Sequence, residues 1–229
     1  MPALAYVLIS LEAIAMILYL TFYFRAGTRI TLLLKTLTSG CFLALGILAL
    51  FYAADAKFAA TVLLGLFCGL VGDIVLGLRR LYRNRKKEFF LSGLFMFFLG
   101  HVLYMIAFSK FSTLNIHVFL ISAAVLTIFM VIIMDLSGVN FGSTRPAVII
   151  YTLISALLLS VTVVNVIAVF TMVNLLLVLG ALLFVTSDFL LSFLYFKKMN
   201  TVSMRVLKIL NIAAYYAGQT LFALSIFLA

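Results

Sequence analysis

Apolar residues run along this chain in stretches of about twenty, broken by short polar clusters and almost free of period-two alternation. A helix that crosses the hydrocarbon core of a bilayer needs ~20 mainly apolar residues. The runs predict eight such helices, near residues 3–24, 30–52, 58–78, 89–109, 116–135, 146–166, 169–196 and 206–228. Membrane barrel strands alternate apolar and polar positions, and these unbroken runs exclude them. Eight spans with short connections use up the 229 residues, which leaves no room for a soluble domain. The expected fold class is all-α: a polytopic membrane protein with one transmembrane domain over residues 1–229.

Composition agrees. Hydrophobic residues make up 67% of the chain and charged residues 10%, against about 45–50% and about 25% in soluble domains. The mean hydropathy is +1.35. In a soluble protein the net charge of +10 would suggest nucleic acid, but here the basic residues follow the connections. Those after the odd-numbered helices hold Arg25 and Arg29, then Arg79, Arg80, Arg83, Arg85, Lys86 and Lys87, then Arg145, then Lys197, Lys198 and Arg205. The opposite connections hold Lys57 and Lys110. The positive-inside rule then places the basic loops in the cytoplasm and both termini outside it. In a bacterium the host would be the cell membrane, with lipids as partners and no nucleic acid. The Arg79–Lys87 cluster can attract anionic headgroups, although a topology signal explains it more simply. Cys41 and Cys68 fall inside apolar runs, so no disulfide framework is expected. Met1-Pro2-Ala3 lacks a basic leader region, so the first apolar stretch is expected to stay as a helix.

A pattern of small residue, Asp, two apolar residues, Leu and small residue occurs at 72–77 and again at 187–192. The same offset of 115 carries His101 to Tyr216 and Tyr104 to Gln219. Helices 1–4 and 5–8 would then be parallel four-helix repeats; chance similarity among apolar helices is the alternative.

Ionisable side chains inside a bilayer are costly and functional by default. They are Glu12, Lys35, Asp73, His101 and Asp188, with Asp135 and Lys208 near helix ends. Asp73 lies six residues before Arg79, about 9 Å along the helix. Asp188 is placed alike ahead of Lys197, and Lys35 and Tyr151 enter their helices to similar depth. Four polar groups on four helices thus share one level, with His101, Tyr104 and Gln219 further out. Gly65, Gly69 and Gly72 line a face beside Asp73 and allow close helix approach. Asn211, Tyr215 and Gln219 are spaced four apart on helix 8. A polar cavity that opens toward the cytoplasm is the economical expectation. Lys35 could instead snorkel to the interface, and His101 could be structural. Glu12 finds no partner at its depth and is expected to bond within its own helix.

Several membrane chemistries fail on inventory. A zinc hydrolase needs about three His ligands, and the chain has only His101 and His117. No His-Glu-x-x-His occurs. The stretch Gly69-Leu70-Val71-Gly72-Asp73 lacks the first glycine of the intramembrane aspartyl protease motif, and Asp188 follows Ser187 where that class has Tyr. No Gly-x-Ser-Gly marks a rhomboid-like serine. What remains is acid/base chemistry by two aspartates on a small amphiphile.

Gly72-Asp73, the run from Ser92 through Gly100-His101 to Tyr104, the run Gly180 to Ser187-Asp188, and Tyr215-Tyr216-Ala217-Gly218-Gln219 together resemble the YhhN family. The order of several motifs over helices 2–8 carries the likeness. The family usually has Lys-Pro in helix 2, whereas Lys35 here precedes Thr36. The resemblance implies a lysoplasmalogenase, which hydrolyses the vinyl ether of a lysophospholipid to a fatty aldehyde and a glycerophospho-ethanolamine or -choline. Protonation of a vinyl ether at its β-carbon gives an oxocarbenium ion that water captures. One protonated carboxyl and one carboxylate suffice, as in glycosidases, and no cofactor is called for. Asp73 and Asp188 are the candidate catalytic pair, and the sequence does not assign the two roles. Lys35 suits the phosphate as a point charge, or else it tunes an aspartate at its own depth. His101, Tyr104, Tyr151, Asn211, Tyr215 and Gln219 are the other candidates for substrate contact. A transporter that uses the aspartates as proton or cation sites is the alternative function, and a scaffold with structural polar pairs is a third.

The orientation is directly testable. A reporter active only in the cytoplasm, fused after Ala229, should be silent, and strong activity would overturn the expected topology.

Overall fold

The computed structural model of the protein describes residues 1–25, 27–111 and 116–229. Among these residues there are eight long helices and no strand. They are α1 (Ala3–Tyr23), α2 (Thr28–Leu50), α3 (Ala56–Leu81), α4 (Lys86–Phe108), α5 (Ile116–Leu136), α6 (Arg145–Ala168), α7 (Met172–Phe196) and α8 (Thr201–Ser225). Each is long and apolar enough to cross a membrane. The chain is an integral, multi-pass helical membrane protein.

Capping explains where helices depart from the apolar runs. α3 starts at Ala56 because the Asp55 carboxylate accepts the N–H groups of Lys57 and Phe58 at 2.9 and 3.0 Å. Residues 169–171 were expected to be helical on hydropathy, but Val169 is extended at φ −142°. Thr171 accepts the Asn174 N–H at 3.1 Å and starts α7 at Met172. The Asn174 amide nitrogen donates to the Val169 carbonyl at 2.9 Å and fastens this connection. α8 starts at Thr201, not near 206, because Asn200 Oδ1 accepts the Ser203 N–H at 2.7 Å. Polar residues hid that start from an apolar count.

The chain forms two compact units, Met1–Ala107 with Gln219–Ala229, and Phe108–Gly218. In the first, α1 packs on α2 and α2 on α3. α1 turns Ala5, Glu12 and Tyr19 inward at intervals of seven and leaves Leu4, Val7, Leu11, Ile14 and Leu18 exposed. Such a face would be untenable in water and is ordinary against lipid. α3 meets α4 across small residues: a Cβ at Gly65 would strike the Tyr104 ring, and one at Gly100 would sit 3.3 Å from the Gly65 carbonyl. At the end of α3 the Arg80 guanidinium lies 4.2 Å from the Tyr23 ring and donates to the Tyr23 carbonyl and Thr31 Oγ1, both at 3.4 Å. The C-terminal residues close this unit, with the Ala54 N–H donating to the Ala229 carbonyl at 3.2 Å.

In the second unit α5 packs on α6 and α6 on α7. α5, like α1, is mostly exposed, through Ile121, Val125, Ile128 and Ile132. Arg145 pairs with Asp135 at 2.6 Å beside the α5–α6 connection. α7 and α8 approach closely at two glycines. A Cβ on Gly218 would lie 2.9 Å from the Gly180 carbonyl and 3.2 Å from the Phe184 nitrogen, backbone atoms that cannot swing aside. Gly218→Ala should therefore cost about 1–3 kcal/mol through overpacking, read as a lower unfolding midpoint in detergent. Gly40→Ala is the control, since its Cβ would meet nothing within 4 Å and the change should leave the midpoint unchanged or higher. Equal midpoints for the two variants would contradict the close helix approach.

Candidate functional site

In the first unit the site begins with a carboxylate that α3 carries into an apolar interior. Asp73 is 2% exposed. A charge so placed needs donors from its neighbours, and α2 supplies two from positions four apart, which share one helix face. Lys35 Nζ lies 2.7 Å from Asp73 Oδ1 and also donates to the Asp73 carbonyl at 3.3 Å. The Ser39 hydroxyl donates to Asp73 Oδ2 at 2.6 Å. Both carboxylate oxygens are thus engaged from α2. Gly72, next to Asp73, leaves room for the Phe97 ring of α4.

The second unit repeats the device. Tyr151 and Ser155, four apart on α6, donate to Asp188 Oδ2 from α7 at 3.0 and 3.1 Å. Tyr151 stands 116 residues after Lys35, Ser155 116 after Ser39, and Asp188 115 after Asp73. Gly180 follows Gly65 by the same 115, and each lets a following helix come close. The local geometry of the two aspartates therefore recurs, with a phenol in one unit where the other has an ammonium. Lys35, Asp73, Tyr151 and Asp188, grouped by depth in the sequence, are joined as Lys35–Asp73 and Tyr151–Asp188, each within its own unit.

The remaining expected residues are all placed. His101 is fully buried, and its Nδ1 lies 2.7 Å from the Phe97 carbonyl, which can only accept, so Nδ1 carries the proton. Tyr104 donates to Gln219 Oε1 at 2.6 Å, joining α4 to the last turns of α8 across that offset of 115. Asn211 donates to the Ser187 carbonyl and hydroxyl, both at 2.8 Å, and so holds the residue before Asp188. The Tyr215 ring packs edge-on against Phe184 and Tyr216, at 5.4 and 5.0 Å between centroids.

Two polar residues near the aspartates, Ser155 and Ser187, were not among those expected at the site. Ser155 had a signal, since it repeats the spacing of Ser39 from Lys35. Ser187 did not; Lys208, noted in the sequence as an ionisable residue near a helix end, is buried and donates to Asn211 Oδ1 at 3.4 Å, extending the polar chain beside Asp188. Glu12 is a correction. It was expected to bond within α1, yet both its oxygens lie 2.9 Å from the Thr220 hydroxyl of α8. At 4% exposure its carboxyl turns into the unit, so the partner comes from a distant stretch of chain.

The model of the YhhN family matches residues 30–226, which covers α2 from its third residue, all of α3–α8 and both aspartates. No curated protein and no solved structure matches the chain.

Proposed function

The chain belongs to the YhhN family, and on that premise we propose that it is a lysoplasmalogenase-like hydrolase, cleaving the vinyl ether of a lysophospholipid by aspartate acid/base catalysis. The observation that carries this reading is the pair of aspartates, each set in an apolar helix and each held by donors four residues apart on a neighbouring helix. One carboxyl gives a proton to the β-carbon of the vinyl ether. The other, as carboxylate, stabilises the oxocarbenium ion and takes a proton from the water that captures it. The resulting hemiacetal falls apart to a fatty aldehyde and the glycerol hydroxyl of the released headgroup. Atoms balance with water as the only co-reactant.

Lys35 acts in this scheme through Asp73. Its ammonium is committed to the Asp73 carboxylate and carbonyl, which supports a role in orienting and charging that group over a role in reading phosphate. Ser39, Ser155 and Tyr151 orient the carboxyls, and Asn211 steadies Ser187. The apolar walls of the helices suit the alkenyl chain.

Purified protein in detergent should release aldehyde from lysoplasmalogen without any membrane gradient, which a transporter would not do. Asp73→Asn and Asp188→Asn should each lower kcat by roughly 10²–10⁴, and the double variant should lose little more, because groups acting as a unit are non-additive. Either variant keeping a tenth of the activity would remove that aspartate from the catalytic pair. Lys35→Met should lower kcat and move the pH optimum while KM changes little. A KM effect that vanishes on a vinyl ether lacking phosphate would return Lys35 to the substrate headgroup.

A further inference from the structure

Glu12 takes no part in the proposed chemistry and lies outside the span that the family matches. It sits near the middle of α1, nine residues from its start and eleven from its end, or about 13–16 Å from either. Its side chain turns from the lipid-facing surface into the unit, where 4% of the residue is exposed. An ionised carboxylate has about four acceptor sites, and in hydrocarbon it needs a countercharge. Among the described residues one hydroxyl, Thr220, donates to it, shared by both oxygens at 2.9 Å. Cys41 on α2 is a titratable neighbour close enough to feel the Glu12 charge, and a thiol supplies no positive charge. Among the described residues no Lys, Arg or His pairs with Glu12. The contrast with Asp73 is direct, because that carboxylate receives an ammonium and a hydroxyl on separate oxygens.

We propose that Glu12 is a proton-binding site in the middle of the membrane, and that its neutral carboxyl, bonded to Thr220, fastens α1 to the last turns of α8. The charge that the chain leaves unmatched is removed by the ligand, a single proton. With the proton bound, one hydroxyl is an adequate partner. α1 then buries its stripe of Ala5, Glu12 and Tyr19 without an unpaired charge. The remaining faces of α1 are exposed to lipid, which gives a lipid-soluble reagent a path that a water-soluble one lacks.

A hydrophobic carbodiimide reports a protonated carboxyl in such a place. The acid adds across a C=N bond, and the acyl group then moves to nitrogen, giving an N-acylurea with no atom lost. Intact protein in detergent would be treated with N,N′-dicyclohexylcarbodiimide and the peptide bearing Glu12 examined by mass spectrometry. That peptide should gain the mass of one carbodiimide, more slowly as pH rises and at a rate indifferent to replacing choline chloride with sodium chloride. A water-soluble carbodiimide should leave it unmodified. Glu12→Gln, which preserves the hydrogen bond without a titratable proton, should abolish the adduct and keep the unfolding midpoint within a few degrees. Lack of the adduct in folded protein would overturn the proposal. So would protection by sodium at fixed pH, which would make the ligand a metal cation. A Glu12→Gln protein that loses its fold would mean that the charge itself holds α1. Each of these readings is independent of aldehyde release, so they stand apart from the hydrolase assignment.

Discussion

A carboxylate inside a bilayer has no water to turn to, and the whole arrangement around Asp73 follows from that. Its donors must come from the protein, and an apolar helix offers few. The answer is a hydroxyl and an ammonium placed one helical turn apart on α2, so that one helix face satisfies both oxygens. For this the two helices must sit in fixed register, and small residues on α3 let its other neighbour close in behind. The second unit meets the same constraint around Asp188 with Tyr151 and Ser155 on α6. A carboxyl held rigidly by its neighbours is what the proposed acid/base chemistry requires.

The spans were legible because burial in lipid demands length and hydropathy, and both are counted directly along the chain. Their ends were less so. Asp55, Thr171 and Asn200 set helix starts through side-chain caps, and each lies where hydropathy alone draws the boundary elsewhere. Asp73, Asp188, Lys35 and Tyr151 stood out as polar residues at matching positions in apolar runs. The bonds among them did not, since depth shows which groups share a level and says nothing of which face each turns. Ser155 was within reach of the Lys35–Ser39 spacing. Glu12 was not, because its partner Thr220 is 208 residues away and no local pattern connects them.

The two units also differ in an instructive way. Where an ammonium meets Asp73, a phenol meets Asp188. A Lys side chain brings a full charge and a flexible stem, whereas Tyr brings a neutral donor on a rigid ring. Similar positions on similar helices thus surround the two carboxyls with different electrostatics.

Carbon protonation of a vinyl ether puts one solvent proton on the carbon next to the new aldehyde carbonyl, and where that step limits the rate it is slowed in D2O. Turnover of lysoplasmalogen by the purified protein in D2O, quenched quickly and analysed by mass spectrometry, reads both. Proton donation by a carboxyl in exchange with solvent predicts one deuterium on the carbon next to the aldehyde carbonyl, formed more slowly than the unlabelled product in H2O. Aldehyde released without deuterium, or no aldehyde at all, would contradict acid/base catalysis by Asp73 and Asp188.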